Sequence, residues 1–161
     1  MNRCGAAALL AAALILGTAD AARADITGFI GANVTPANRL TQGLAVGAGL
    51  LIIGFEFEYA VTTDDPMVNA PSLKTGMGNV LLQTPTAFFG FQPYVTTGAG
   101  VYNESLGAHS ETNFGVNFGG GFKMSLVGPL RLRIDYRVFN LAGSAVNSPS
   151  QRIYAGLNFR F

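Results

Sequence analysis

Apolar and polar side chains alternate at every second position through much of this chain. The clearest stretch covers residues 54–63, where Phe55, Phe57, Tyr59 and Val61 alternate with Glu56, Glu58, Ala60 and Thr62. A period of two places successive side chains on opposite faces of a β-strand. The pattern therefore predicts strands that each have one apolar and one polar face.

Eight stretches of this kind follow one another along the chain. They cover residues 26–34, 43–52, 54–63, 73–83, 91–102, 113–125, 130–139 and 152–161, of which 73–83 is the weakest in pattern. Strands of about ten residues match the length of a tilted membrane strand. Glycine is scattered throughout, and few stretches show a helical period.

The connections between these strands mostly alternate between long and short. Long polar links are predicted at 35–42, 64–72, 103–112 and 140–151, and tight ones near 52–53 and 126–129. The link at 84–90 is longer than the alternation requires. Outer-membrane barrels have long extracellular loops and short periplasmic turns. The sequence thus predicts an all-β fold, an eight-stranded antiparallel up-and-down transmembrane β-barrel.

Composition favours placing the apolar faces outward. Hydrophobic residues make up 49% of the chain and charged residues only 12%, well below the roughly 25% charge of soluble domains. No segment after residue 24 is long enough to be a spanning helix, and lipid admits only helices and closed barrels. The opposite arrangement, a soluble periplasmic barrel with a lipocalin-like apolar interior, stays open as an alternative.

The first 24 residues differ from the rest and resemble a secretory signal peptide. Arg3 precedes an apolar run from Gly5 to Gly17, and Ala22-Arg23-Ala24 has the small-x-small form of a cleavage site. We expect cleavage after Ala24, which leaves residues 25–161 as the barrel domain. The single cysteine, Cys4, is then lost, so we expect no disulfide and no thiol chemistry.

Four motifs in the chain are distinctive. They are Gln92-Pro93-Tyr94-Val95-Thr96-Thr97-Gly98-Ala99-Gly100-Val101-Tyr102, Phe118-Gly119-Gly120-Gly121-Phe122-Lys123, Leu130-Arg131-Leu132-Arg133-Ile134-Asp135-Tyr136-Arg137 and Gly156-Leu157-Asn158-Phe159-Arg160-Phe161. They resemble motifs of small outer-membrane barrels of the OmpA/OmpX/OmpW-like group. The resemblance covers the C-terminal half well and residues 25–90 mainly by pattern. It implies an eight-stranded barrel in the bacterial outer membrane, with no catalytic residues to transfer.

The last residues carry a second resemblance. Leu157, Phe159 and the terminal Phe161 lie at two-residue spacing on one strand face. This ending resembles the outer-membrane β-signal, which implies recognition by the barrel-assembly machinery during biogenesis.

Charged residues on the polar strand faces are expected to fill the lumen. The acids are Glu56, Glu58 and Asp135, and the bases are Lys123, Arg131, Arg133, Arg137, Arg152 and Arg160. Eight strands enclose a lumen just wide enough for side chains, and buried charges must pair. We predict a charge network that plugs the lumen. The alternative is a narrow, anion-leaning conduit, since bases outnumber acids six to three in this set.

Enzyme chemistry finds little support in the sequence. His109-Ser110-Glu111, near Glu104, is the only His-Ser-acid cluster, and we expect it in a flexible loop, whereas catalytic groups are held rigidly. A lone histidine makes a poor metal site, and no phosphate loop, dinucleotide fingerprint or zinc spacing occurs. We therefore expect no catalytic residues, no metal and no cofactor.

Four functions are compatible with these features. The first is a non-enzymatic outer-membrane protein with a structural or surface-interaction role. The others are a narrow porin-like channel for small solutes, a soluble binder of apolar ligands, and a lipid-modifying enzyme. Residues 25–161 hold eight bases and eight acids. This balance lacks the excess of positive charge that is typical of nucleic-acid-binding domains. We expect a monomer in contact with outer-membrane lipid, whose surface partner the sequence leaves unnamed.

Overall fold

The computed structural model describes residues 23–107 and 109–161, which form eight β-strands. These are β1 (Arg23–Asn33), β2 (Arg39–Leu50), β3 (Ile53–Thr62), β4 (Ser72–Gln83), β5 (Phe91–Leu106), β6 (His109–Val127), β7 (Leu130–Leu141) and β8 (Ser150–Arg160). One 3-10 turn, Pro66–Val68, lies between β3 and β4. Within residues 23–107 and 109–161, no helix has the length and apolar character to cross a membrane.

The strands close into a barrel in which each strand pairs antiparallel with its neighbours in the chain. Closure comes from β1 and β8, where Asp25 lies opposite Arg160 and Asn33 lies opposite Arg152. Each strand is thereby paired on both sides, so no sheet edge is left open. The predicted eight-stranded antiparallel up-and-down barrel is confirmed.

The barrel has two unlike ends. At the end that carries Ala24 and Phe161, here called the terminal end, the connections span residues 51–52, 84–90 and 128–129. At the opposite end, here called the loop end, they span residues 34–38, 63–71, 107–108 and 142–149. The long link predicted at 84–90 and the tight turns near 52 and 128 are therefore present.

The prediction of a long loop at 103–112 is wrong, because most of these residues belong to β5 and β6. β5 and β6 continue to Leu106 and His109, which face each other across the two-residue connection. The Asn103 Nδ2 donates a hydrogen bond to the Thr112 Oγ1 over 2.9 Å. Both faces of this hairpin are polar, so the alternation that reveals a strand is missing there. Residues 109–114 pair with β5 only, and the hairpin extends past β7.

Other strand boundaries also shift. β2 begins at Arg39, so the link predicted at 35–42 shortens to 34–38, and the link predicted at 140–151 shortens to 142–149. β1 begins at Arg23, two residues before the expected start of the barrel domain. Of the predicted signal peptide, residues 1–22 lie outside the described residues, and Ala24 pairs with Phe161.

The outward face of the barrel is apolar, and the inward face is polar except for a buried apolar cluster at the loop end. Among the most exposed outward residues are Ile30, Leu44, Phe55, Phe57, Val101, Phe118 and Leu157. Phe57 is 61% exposed, whereas its neighbours Glu56 and Glu58 are 6% and 0% exposed. This is the reverse of a soluble barrel, and it is the orientation that the sequence predicts.

Glycines on β6 create room for large side chains in the lumen. A Cβ on Gly121 would lie 2.8 Å from the Tyr94 hydroxyl and 2.0 Å from the Ile134 carbonyl oxygen. A Cβ on Gly119 would lie 2.9 Å from the Arg137 Cγ. A larger residue at either position would clash first with a backbone carbonyl of β7 and then with the inward side chain, so glycine permits both the strand pairing and the lumen packing.

Candidate functional site: the charged lumen

Two strands supply most of the charge at the centre of the lumen. Glu56 and Glu58 lie two residues apart on β3, and Arg133, Asp135 and Arg137 lie at the same spacing on β7. Because side chains two apart share a strand face, each set points inward together. The barrel brings the two sets within contact although they are far apart in the sequence.

The core of the network consists of Glu56, Arg133, Asp135 and Arg137. Arg133 forms an ion pair with Glu56 and lies 3.1 Å from the Asp135 carboxylate. Arg137 lies 3.0 Å from the Glu56 carboxylate and 2.9 Å from that of Asp135. Each guanidinium thus contacts two carboxylates, and each of these carboxylates contacts two guanidinium groups.

Glu58 extends this network toward β8. Its carboxylate lies 3.2 Å from the Arg137 guanidinium and pairs with Arg152. The guanidinium of Arg152 also lies 4.6 Å from the centre of the Phe139 ring, within range of a cation–π interaction. The central network therefore holds three acids and three bases, so it is balanced in charge.

Two tyrosines complete the central network. The Tyr94 hydroxyl donates a hydrogen bond to Asp135 and accepts one from the Arg133 Nε at 2.7 Å. The Arg133 guanidinium lies 5.0 Å from the Tyr94 ring centre and 5.7 Å from that of Tyr154. Sequence reasoning missed both, although each tyrosine occupies an inward position of its strand's alternation.

Three predicted bases lie nearer the terminal end. The Lys123 Nζ is 2.9 Å from the Asp25 carboxylate, and the nearest Arg131 nitrogen is 3.6 Å from it. Arg131 also donates to the Gln92 side-chain oxygen at 3.0 Å. Arg160 is half-buried, and within residues 23–107 and 109–161 it forms no ion pair. Asp25 is absent from the predicted network.

These side chains line a cavity of about 360 Å³ at the terminal end, here called the mouth cavity. Its charged lining residues are Arg23, Asp25, Glu56, Lys123, Arg131 and Arg160. Glu56 is the member that also belongs to the central network, where Arg133 and Arg137 occupy its carboxylate. The mouth cavity therefore meets the central network at Glu56.

The loop end of the lumen is filled by apolar side chains. Leu73, Met77, Tyr102, Phe139 and Leu141 form one buried cluster. The connection at 142–149 packs against it, with Ala145 in contact and the Ala142 carbonyl accepting a hydrogen bond from Tyr102.

Two acids on the β5–β6 hairpin hold this connection in place. A Glu104 carboxylate oxygen accepts a hydrogen bond from the Val146 backbone N–H at 3.0 Å. A Glu111 carboxylate oxygen accepts one from the Ser144 backbone N–H at 3.2 Å. The loop end is thus closed by side chains and by an anchored connection.

The His-Ser-acid cluster lies on β6 and not in a loop. Ser110 accepts a hydrogen bond from the Asn103 side chain at 3.1 Å, and Glu111 binds the 142–149 connection. The backbone of His109 pairs with Leu106. No group of three His, Cys, Asp or Glu residues that could hold a metal occurs in the described part of the chain. The absence of catalytic function stays a prediction.

The predicted assembly residues share the outward face of β8. Leu157, Phe159 and Phe161 are all exposed, and the rings of the two phenylalanines lie 6.3 Å apart. Phe161 exchanges backbone hydrogen bonds with Ala24. The stripe adjoins the seam where β8 meets β1, so these residues lie where the barrel closes.

Comparison with known proteins identifies the fold. The N-terminal β-barrel domain of Pseudomonas aeruginosa OprF has a TM-score of 0.65 at 16% identity, covering 86% of this chain and 97% of that domain. Neisserial surface protein A has a TM-score of 0.60 at 13% identity, covering 86% and 94%. Yersinia pestis Ail, the attachment invasion locus protein, solved with the heparin analogue sucrose octasulfate, has a TM-score of 0.53 at 13% identity, covering 87% and 99%.

Sequence comparison adds no closer relation. No protein-family model matches the chain, and no curated protein matches it. The three structural matches span nearly the whole length of their own chains, so the likeness extends over the full barrel. This chain has the fold of small bacterial outer-membrane β-barrels.

Proposed function

We propose that this protein is an outer-membrane β-barrel without enzymatic activity, with a structural or surface-interaction role. One observation carries the proposal: a closed barrel with its large apolar side chains outside and its charges inside. Contiguous apolar patches on soluble monomers rarely exceed a few hundred Å². Here exposed apolar residues occur on every strand around the barrel. A lipid environment makes this surface favourable, because the apolar band of such barrels faces the hydrocarbon region.

The filled lumen supports a structural role over a channel. Arg133, Arg137, Glu58 and Asp135 are all 0% exposed, and an apolar cluster with an anchored connection lies beyond them. Open aqueous pores are built from about sixteen strands. The central charges are also balanced, so the excess of bases that favoured an anion conduit is confined to the terminal end.

The loop end supports an interaction role at the cell surface. Its β5–β6 hairpin extends past β7 and carries the exposed polar residues Ser110 and Thr112. Ail, with the same fold, is described as an attachment protein and was solved with a heparin analogue. That neighbour supports an attachment role for a barrel of this size.

Extraction and conductance test the proposal. We expect the protein to stay with membranes after osmotic shock and to be released by detergent, and to give no steady open-pore conductance in planar bilayers where a sixteen-stranded porin does. Release by osmotic shock alone would support the soluble apolar-ligand binder. Steady conductance would support the small-solute channel.

Insertion of an epitope tests which end faces outward. A tag placed in the connection at 107–108 should be detected by antibody on intact cells. The matched tag at 128–129, in the opposite end of the barrel, should be detected only after permeabilisation. The reverse result would place the loop end in the periplasm and would contradict a surface role for the hairpin.

A further inference from the structure

We propose that the mouth cavity binds a phosphate group. Its volume of about 360 Å³ lies within the range of small-molecule sites, about 300–1,000 Å³. Arg23 precedes the expected cleavage site, so the inference rests on Lys123, Arg131 and Arg160. This inference goes beyond the proposed function, because neither a structural nor an adhesive role requires a ligand at this end.

The three bases exceed the acid available to them. Asp25 is shared between Lys123 at 2.9 Å and Arg131 at 3.6 Å. The other acid of the cavity, Glu56, is already occupied by two arginines of the central network. Arg160 forms no ion pair with any residue in the described ranges. A net positive charge thus remains inside a partly enclosed space.

The hydrogen-bond donors suit a phosphate group. Arg131 uses its Nε on Asn158 and its Nη1 on Gln92, which leaves its Nη2 directed toward Asp25 at a distance longer than a hydrogen bond. Arg160 makes no side-chain hydrogen bond within residues 23–107 and 109–161. Guanidinium groups bind phosphate through paired N–H donors, and the lysine ammonium adds a point charge. A phosphate group bridging Arg131 and Arg160 would balance this end of the lumen.

Two sources could supply the phosphate. One is free phosphate or a small phosphate ester that enters from the aqueous side. The other is the headgroup of a phospholipid in the leaflet that surrounds the terminal end. Both present the same oxygens to the cavity, so the chemistry of recognition is shared.

The test uses the export-processed protein in phosphate-free alkyl-glucoside micelles. Titration with sodium phosphate at constant ionic strength, balanced by chloride, is followed through the ¹⁵N resonances of the arginine Nε–H groups. A second titration replaces inorganic phosphate by phosphatidylglycerol added to the micelles. The variants are Arg160→Gln and Lys123→Gln, and the matched control is Lys74→Gln, which removes an exposed charge at the loop end.

We expect saturable resonance shifts in the parent protein. The affinity derived from them should fall by about tenfold in Arg160→Gln and Lys123→Gln and should be unchanged in Lys74→Gln. Saturation with phosphate supports a soluble ligand, and saturation with phosphatidylglycerol alone supports a lipid headgroup. No saturable change in either titration, or equal affinity in all variants, overturns the proposal. Arg160→Gln decides the matter if Lys123→Gln does not fold, because Arg160 forms no ion pair with the described residues. Membrane location is measured separately, so the two proposals fail independently.

Discussion

Replacing Glu56 by glutamine tests whether the lumen charges act as one network. The Glu56 carboxylate contacts Arg133, Arg137 at 3.0 Å and the Asn79 amide at 3.4 Å. Glu56→Gln leaves three bases against two acids in a region without solvent. Breaking a buried ion pair from one side costs roughly 3–5 kcal/mol. We expect about 3 kcal/mol, the lower end of that range, because glutamine keeps one carbonyl acceptor.

Urea unfolding in detergent micelles measures this cost, with the folded fraction scored by heat-modifiable gel migration. The matched control is Glu111→Gln on the β5–β6 hairpin, where a glutamine carbonyl can still accept the hydrogen bond from Ser144. We expect the control to change stability by about 0.5 kcal/mol or less. An equal effect for both substitutions would refute the network.

A double variant gives the coupling directly. Arg133→Gln alone leaves three central acids against two bases, whereas Glu56→Gln with Arg133→Gln restores two of each. We expect the double variant to be more stable than the sum of the single losses predicts, by about 1 kcal/mol or more. Strictly additive losses would mean that the charges act separately.

Three further predictions concern the lipid face, the chain end and the start of the mature protein. Phe57→Arg should lower the stability of the barrel in lipid by about 2–4 kcal/mol. Phe89→Arg, on an exposed turn at the terminal end, should lower it by about 0–1 kcal/mol. Equal losses in urea titrations would contradict a lipid-facing position for Phe57. Deletion of Phe161 should leave refolding in detergent intact, because its backbone hydrogen bonds go to Ala24, which the expected cleavage removes. It should lower membrane yield in cells, and normal yield would remove the assembly-signal role. Sequencing of the membrane-fraction protein should begin at Asp25, and a start at Met1 would refute cleavage.

The period-two pattern predicted the barrel because alternation is strong in a strand that has one apolar face and one polar face. Phe57 between Glu56 and Glu58 separates the two faces of β3, and the low charge content favoured the apolar face outward. The pattern is weak on β4 because the lumen there is also apolar: Met77 faces inward at 0% exposure, while Val80 faces outward at 45%. A strand that is apolar on both faces shows no alternation.

Features that depend on long-range pairing or on unusual surroundings were missed. The outer part of the β5–β6 hairpin was predicted as a loop because both of its faces are polar. Residues such as Asn103 and Thr112 therefore show no alternation of apolar and polar positions. Asp25 was missed because its partner Lys123 is 98 positions away, a separation that no local sequence pattern reveals. Tyr94 was missed because its partner Asp135 is 41 positions away along the chain, and a lone tyrosine in an alternating strand does not reveal such a partner.

The most direct test of the central claim is the surroundings of position 57 in a bilayer. The only cysteine of the sequence is Cys4, so Phe57→Cys in the processed chain gives one site for a nitroxide label, with Ser110→Cys as the exposed control on the hairpin. In lipid vesicles we predict that the label at position 57 relaxes more with oxygen than with a water-soluble nickel chelate, and that the label at position 110 shows the opposite order. Access of the nickel chelate to position 57 comparable to that at position 110 would contradict a lipid-facing exterior.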